Sequence, residues 1–583
     1  MIFEDNIAMR FRIKVCILIC LTQLLYACSQ SDVSAPLVSG PNPLAGIDLS
    51  GAPNILLIVA DDMGYSDVGA FGGEIDTLNI DALARSGITF TNFHTASSCA
   101  PTRAMLLSGV DNHLAGYGSM HFLAPDQRGR PGYEDRMNEK VVSVARLLGD
   151  AGYRTGMVGK WHLGSKPGQW PVDRGFQRSF AVLGGMDSHF GENRIPPVKY
   201  VSDGSEAEVP DDFFSTDYYT DRLIEFIGGP DEEGPFFAYA AYSAPHWPLQ
   251  VPDEYIDKYD GSYDQGWDAL RSARFERMQQ MGIIPAEALL PPRLDEAPAW
   301  DDLSEEEQRI EAREMAVYAA MIDNMDVNIG RLIKHLKSIG EYDNTFIVFM
   351  SDNGPDAFDP WIREGLLFRL MTLGADNSYE NLGRKGSWVA YGAGWAQVSS
   401  TPLKYYKSVA SEGGIRTPMI VSFPRHFNSG VINTDFASVM DITPTLLELA
   451  GIEHPGNHYR GREVHPPDGV SLVPVLDGKS TSIHDEGDGT GFELFGQRAL
   501  VASGWKILSL RHPYGNGEWE LFNISEDPAE STNLASLEPE RLQSMIDQYE
   551  SYSREKGVID PPPDFELMDG SLREFFMLMR AMF

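Results

Sequence analysis

Cys99 stands four residues before Arg103 in the string Cys99-Ala100-Pro101-Thr102-Arg103. Pro101 suits the first turn of a helix, where a missing N–H leaves no bond unmade. Positions i and i+4 share a helix face, so the Arg103 guanidinium is expected beside the Cys99 side chain. A helix N-terminus adds partial positive charge, which favours an anion at the same place. These residue types suit a cysteine nucleophile or a redox thiol equally well, and so short a string is by itself a weak signal. Four further groups carry ionisable or amide side chains: Asp61-Asp62, Gly159-Lys160-Trp161-His162, Ala244-Pro245-His246 and Ser351-Asp352-Asn353-Gly354. Each has an ordinary alternative. Asp61-Asp62 is compatible with a solvated turn, Asp352-Asn353-Gly354 is common turn chemistry, and a single histidine is more often structural than catalytic.

What distinguishes these groups is where they fall. Residues 54–60 form a short continuous apolar run of the kind a buried parallel strand needs, and Asp61-Asp62 follow at its end. Thr155–Val158 reads as a strand leading into Lys160 and His162, Phe236–Tyr242 as one leading to His246, and Thr345–Met350 as one running into Asp352-Asn353. Helical periodicity covers Val141–Ala151 and roughly Glu306–Ile339. Alternating strands and helices predict an α/β domain with a mixed, mainly parallel sheet sandwiched by helices. Open sheets of this kind bind ligands outside the carboxyl ends of their strands, so the four groups are expected to converge there. After Met419–Phe423 and a helix Pro444–Leu449 the composition shifts. Strands at Ala499–Val501, Lys506–Leu510 and Trp519–Phe522 and a helix Pro539–Tyr552 predict a smaller C-terminal α+β domain with an antiparallel sheet. The expected organisation is 1–28 signal, 29–47 flexible tether, 48–455 catalytic domain and 456–583 C-terminal subdomain.

The net charge of −37 argues against a nucleic-acid partner, which would call for a basic face. A site for an anionic substrate must therefore supply its own positive potential. At the N-terminus Arg10, Arg12 and Lys14 precede an apolar run from Ile13 to Tyr26, and Leu25-Tyr26-Ala27-Cys28 resembles a bacterial lipobox. Export and lipidation at Cys28 are expected, with the lipid as the sole membrane attachment and a periplasmic or outer-membrane location. Of the four cysteines, Cys16 and Cys20 fall inside the signal and Cys28 takes the lipid. Only Cys99 remains in the folded body, so no disulfide is expected within it.

Cys-Ala-Pro-Thr-Arg followed by Ala104-Met105-Leu106-Leu107-Ser108-Gly109 resembles the signature of the type I sulfatases, of the alkaline phosphatase-like superfamily. Thr102 stands where serine is commoner. The other family motifs follow in order: Asp61-Asp62-Met63-Gly64, Gly159–Gly164, Ala244-Pro245-His246 and Ser351–Gly354. Lys407 lies five residues before Glu412-Gly413-Gly414-Ile415-Arg416-Thr417-Pro418, a spacing that favours it over Lys404. The likeness runs from about 52 to 535, and residues 379–384 and 391–397 are similar to the bacterial arylsulfatase branch in particular.

The resemblance implies that a maturation enzyme oxidises Cys99 to formylglycine, whose hydrate attacks sulfur to give a covalent sulfo-enzyme intermediate. It implies a metal held by Asp61, Asp62, Asp352 and Asn353 together with residue 99. Such hard oxygen donors suit Ca²⁺, with Mg²⁺ as the alternative. Arg103, Lys160 and Lys407 would supply positive potential, His246 a proton for the leaving oxygen, and His162 a base to release sulfate. The implied activity is arylsulfatase-type hydrolysis of small sulfate esters. A formylglycine-dependent phosphonate or phosphate ester hydrolase and a non-catalytic lipoprotein that binds sulfated ligands are the competing expectations. The insert around 253–305 and the region 355–400 are expected to shape the pocket, with Ser188, His189, Trp388, Tyr391 and Trp395 as lining candidates.

Overall fold

Every residue of Asn54–Ala60, the strand β1, is buried. Its alternate side chains enter two different hydrophobic clusters: Leu56, Ile58 and Ala60 one, Ile55, Leu57 and Val59 the other. That is the arrangement of a strand covered on both faces, and it accounts for the unbroken apolar run in the sequence. The computed structural model describes residues 40–192, 198–358, 374–427, 430–562 and 565. The expected signal 1–28, with Cys28, and the tether up to residue 39 lie outside them. Among the described residues no helix is long and apolar enough to cross a membrane.

The large sheet is built from β1, β2 (Ile88–His94), β3 (Arg154–Lys160), β4 (Arg178–Val182), β5 (Tyr200–Ser202), β6 (Ser205–Ala207), β7 (Phe236–Ala241), β8 (Thr345–Ser351), β9 (Arg416–Ser422) and β10 (Val431–Asn433). Their order across the sheet is β10-β2-β9-β8-β1-β7-β3-β4-β5-β6, and a short β11 (Ala437–Ser438) also pairs with β2. The central strands β8, β1, β7 and β3 are all parallel. β9 runs antiparallel between β8 and β2, so its start lies beside the ends of β8 and β1. This is the predicted mixed, mainly parallel sheet. Helices Val144–Ala151 and Glu305–Ser338 begin and end within a few residues of the expected bounds. The latter opens on a capping box, Ser304 with Glu307, and carries His335 and Lys337 in its last turn, both complementary to the helix dipole.

Beyond a two-stranded ribbon, β12 (His458–Tyr459) and β13 (Arg462–Glu463), the C-terminal part forms an antiparallel sheet in the order β14 (Gly489–Leu494), β15 (Gln497–Ala502), β16 (Trp505–Ser509), β17 (Glu520–Asn523). Helix Pro539–Lys556 closes a small core over it with Met545, Tyr549 and Tyr552. Residues Asn42–Phe583 pack as one compact unit containing both sheets.

One buried contact between the short helix Asn112–Ala115 and the small sheet is ionic. His113 sits between Asp111, 3.0 Å from Nδ1, and Glu493 of β14, 2.9 Å from Nε2. Tyr552 donates to the other Asp111 oxygen at 3.0 Å. Burial lowers the proton affinity of His113, but the two carboxylates outweigh it and bring its pKa up to about 9. A histidine raised from about 6.5 in the unfolded chain adds stability that is complete below pH 6.5 and is lost as pH rises through about 9. The contribution is about 3 kcal/mol at most. Urea unfolding followed from pH 6 to 10 is expected to show that loss, and His113→Gln to flatten it.

Candidate active site

Four parallel strands end at one edge, and each hands a polar group to it. Backbone bonds knit the strand ends together: Asp61 N–H donates to Ala244 O at 3.0 Å, and Asp352 N–H to Ala60 O at 3.1 Å. Asp62 has φ +63° and His162 φ +53°, a left-handed backbone that is unfavourable for residues other than glycine. Surrounding bonds hold both. The Asp62 N–H donates to Asp352 Oδ1 at 3.2 Å, and Tyr117 Oη donates to the His162 carbonyl at 2.8 Å.

Cys99 opens the helix Cys99–Ser108, with Pro101 in its first turn, and all ten residues are buried. Arg103 lies one turn on. It grips Asp352 Oδ2 with Nε at 2.9 Å and a terminal nitrogen at 2.7 Å, and donates to the Lys160 carbonyl at 3.2 Å. Lys160 Nζ lies 2.8 Å from both oxygens of Asp61. Lys407 Nζ lies 2.7 Å from Asp62 Oδ2 and 3.4 Å from Asp356. Four carboxylates and three cations thus meet in the strand-end crevice, Asp61, Asp62 and Asp352 each paired with its own cation. Lys404 instead points its ammonium over the Tyr405 ring, 5.2 Å from the centroid.

Exposure tells which side opens. Asp61, Arg103, Lys160, Asp352 and Asn353 are 0% exposed, whereas His162 and His246 retain 6% each and the Lys407 side chain 10%, so the last three form the mouth. His246 Nε2 is 3.3 Å from Asp62 Oδ2. Its Nδ1 bonds to the Trp247 carbonyl at 2.5 Å, and His189 Nε2 bonds to the His246 carbonyl at 3.0 Å.

The electrostatics follow from burial. Burial pushes Asp61 up to about 7 despite Lys160 and Arg103. Asp62 is buried as deeply, yet Lys407, His246 and Lys160 hold it below the usual carboxylate range. Burial and the neighbouring cations push protons off His162 and His246. The Cys99 thiol is pushed up to about 12, mainly by burial, so it stays protonated at neutral pH.

The donor set fits a hard cation. Ligand atoms of Asp61, Asp62, Cys99 and His246 all lie within 4.8 Å of one another. The Asn353 amide nitrogen donates to Asp62 Oδ1 at 2.7 Å and to Gly354 O at 2.8 Å, while its oxygen is buried without a hydrogen-bond partner among the described residues. A buried amide oxygen beside carboxylates with no donor to satisfy it is what an oxygen-liganded metal would need.

Several expected pocket residues are elsewhere. Trp395 packs edge-on against Trp267 and Trp300 at 5.6 Å, and Tyr391 stacks on Tyr318 at 4.4 Å, so both are core. The insert around 253–305 supplies that aromatic cluster and a brace. Its Arg274, fully buried, bonds Asp67 at 2.6 Å and Glu74 at 2.8 Å, beside the loop that follows β1. Ser188 and the His189 N–H both bond the Gln250 side chain, and His189 supports His246 from behind rather than lining an open pocket. Trp388 is buried too, edge-on to Trp247.

The sequence reasoning missed what seats Lys407. Gly354 and Gly413 approach so closely that a Cβ on Gly354 would lie 1.8 Å from the Gly413 carbonyl oxygen. Lys407 N–H donates to Pro355 O at 3.0 Å, and Ser408 N–H to Ser97 O at 2.7 Å. Beneath this loop Glu412 meets His94, Arg416 and Lys506, and Lys506 of β16 also bridges to Glu530, each lysine contact 2.8 Å long. Lys506 and both glutamates are among the buried charges. A lysine inside the apolar run of a strand was the available signal.

Comparison with known proteins places this geometry. The sulfatase family model matches residues 53–452, most of the chain. The chain belongs to the sulfatase family. A second model, the C-terminal region of N-sulphoglucosamine sulphohydrolase, matches residues 404–551. An uncharacterised sulfatase of Schizosaccharomyces pombe is 42% identical over 534 residues, covering 88% of this chain and 96% of its own length. The arylsulfatase of Klebsiella aerogenes is 41% identical over 438 residues, covering 74% and 93%. The solved structure of Ps i-CgsB with k-i-k-neocarrahexaose superposes at TM-score 0.63 and 26% identity, covering 90% of this chain and 98% of that one. The protein is a sulfuric ester hydrolase with the alkaline phosphatase-like fold.

Because Lys506 bridges two buried carboxylates, Glu412 and Glu530, Lys506→Met is expected to cost about 3–5 kcal/mol in urea unfolding. Lys479→Met, which breaks the exposed pair with Asp477, is expected to cost under about 1 kcal/mol.

Proposed function

We propose that this sulfatase hydrolyses small, preferably aryl, sulfate monoesters, and that it acts through formylglycine formed from Cys99 and a bound divalent cation, Ca²⁺ before Mg²⁺. The observation that carries the proposal is the state of Cys99. Its thiol is buried, and burial pushes its pKa up to about 12 against the pull of Lys160 and Lys407. A thiol so far from ionising is a poor nucleophile at neutral pH, so the cations serve something else at this position. Hydrated formylglycine would supply one hydroxyl to attack sulfur and a second whose deprotonation expels sulfate. Asp61, Asp62, Asn353 through its unpartnered oxygen, Asp352 and residue 99 would hold the cation, which offsets carboxylate charge and polarises the sulfate.

The chain's own groups divide the remaining work. Arg103, Lys160 and Lys407 provide preorganised positive potential in a water-poor crevice, where such charges act most strongly. His246 faces the site with Nε2, since Nδ1 is engaged by the Trp247 carbonyl. Burial keeps it neutral in the free enzyme, and the negative charge of a bound ester raises its affinity for the proton it then gives to the leaving oxygen. His162 takes the proton that release of sulfate requires. The leaving group meets an aromatic wall: Trp247 lies against the His246 ring at 5.9 Å and stacks on Phe358 at 4.5 Å. That wall supports aryl leaving groups, as does the likeness to the Klebsiella arylsulfatase. The charge of −37 disfavours densely sulfated polymers.

Maturation requires a formylglycine-generating enzyme, and the basic start, apolar run and Ala27-Cys28 support export as a periplasmic or outer-membrane lipoprotein. The charge of −37 disfavours a nucleic-acid partner.

A panel of aryl, alkyl and sugar sulfates with matched phosphate and phosphonate esters tests the activity. Aryl sulfates are expected to turn over fastest, a chelator to lower kcat until Ca²⁺ is restored, and Cys99→Ala to abolish turnover. Mass spectrometry of the peptide containing residue 99 should show the aldehyde. Phosphate or phosphonate esters cleaved far faster than sulfates, or a thiol retained in active enzyme, would overturn the proposal. Separately, Cys28→Ser is expected to move the protein from the membrane to the soluble fraction.

A further inference from the structure

His162 does not stand alone. Its Nε2 lies 2.9 Å from Nε2 of His121, with the two rings inclined by 29°. His121 is half-exposed, and Asp135 grips it twice: one carboxylate oxygen is 3.3 Å from Nδ1, and the other accepts the His121 backbone N–H at 3.0 Å. His121 and Asp135 both have positive φ, +61° and +51°, a backbone cost that needs compensation. The bonds between them supply part of it.

Two ring nitrogens at this distance share one hydrogen, so one donates and the other accepts. Asp135 accepts from Nδ1–H of His121, which leaves neutral His121 with its lone pair on Nε2. The hydrogen between the rings then belongs to His162, as Nε2–H. It follows that His162 carries its own lone pair on Nδ1. That atom is buried and lacks a hydrogen-bond partner among the described residues. Lys160, Arg103 and Lys407 all act on the ring, which puts it within the field of the site.

We propose that His121 and Asp135 are positioning residues: they fix His162 as the tautomer with a free Nδ1 and stabilise the imidazolium formed when Nδ1 takes a proton. The proposal rests on His162 being the base that serves residue 99. The proton balance is simple. An O–H bond at residue 99 breaks, its proton joins Nδ1, and the Nε2–H bond to His121 strengthens as the ring becomes cationic. Asp135 faces His121 from behind and offsets the charge. Lys160, Arg103 and Lys407 oppose the imidazolium, which is why a stabilising acceptor is needed. Among the described residues the only other ring beside His121 is Phe122, edge-on at 6.5 Å, which cannot replace the acceptor.

Two measurements test this. In the Cys99→Ala protein, with no turnover and no maturation, ¹⁵N shifts of labelled histidine should show His162 protonated on Nε2. His121→Ala should convert that signal to a tautomer mixture. In the matured enzyme acting on an aryl sulfate, His121→Ala should lower kcat about ten- to a hundredfold with KM little changed. Added imidazole should restore part of it, and Asp135→Asn should lie between. An Nδ1–H signal for His162, or His121→Ala with kcat within about twofold of the parent enzyme, would overturn the proposal. Wild-type enzyme inactive on every sulfate ester would instead sink the sulfatase proposal, and the ¹⁵N result would still decide the histidine pair.

Discussion

The structure depends on three buried ion pairs at one sheet edge: Asp61 with Lys160, Asp62 with Lys407, and Asp352 with Arg103. Each joins segments far apart in sequence, so none can form until the central strands are in register. Removing one partner from a buried pair leaves an uncompensated charge that costs roughly 3–5 kcal/mol. The edge therefore tolerates little slippage of β1, β3 or β8. It also explains why the left-handed Asp62 and His162 persist. Local strain of order 1–3 kcal/mol survives only where neighbouring contacts over-determine the backbone, and here they do.

The same arrangement separates two sorts of support. Lys160 and Arg103 leave a strand and a helix and need no help to reach the crevice. Lys407 comes from a loop, and its position is borrowed. The Gly354–Gly413 contact seats that loop from one side, and the Glu412–Lys506–Glu530 knot holds it from below. Because Lys506 belongs to β16, the small sheet is part of the active-site scaffold. A buried lysine between two glutamates is a poor way to gain stability compared with apolar packing; what it provides is one defined seat for the loop before β9.

Much of this was legible in the residues. Parallel strands buried on both faces read as apolar runs, and topology places whatever follows them at one edge, so Asp61, Lys160, His246 and Asp352 were traceable to a common site. Arg103 followed from helical spacing. What was not legible arises where one pattern serves two purposes. Trp395 and Tyr391 lie in a glycine-rich stretch that suits a pocket loop or a core segment equally, and only packing against Trp267, Trp300 and Tyr318 decides for the core. His121 and Asp135 have no periodicity to betray them. Their pairing depends on left-handed backbone at both residues, which is uncommon for histidine and aspartate and has no signature in the sequence.

Charge counting connects the site to the whole molecule. Asp61, Asp62, Asp352 and Asp356 face Arg103, Lys160 and Lys407, and burial pushes Asp61 up to about 7 and Asp356 upward as well, so the inner crevice is close to neutral before anything binds. A surrounding charge of −37 then repels an anion on approach, although salt screens that field beyond ~10 Å at 0.1 M. Attraction must begin at short range. On the function proposed here, a divalent cation adds the two positive charges the crevice lacks, in a space too dry for water to screen them. A singly charged sulfate ester then gains more from the site than it loses on approach. A polymer with many sulfates meets the same local gain at each turnover but a repulsion that grows with its charge. Selection for small substrates would thus follow from the contrast between a locally cationic crevice and an acidic body, without any steric gate.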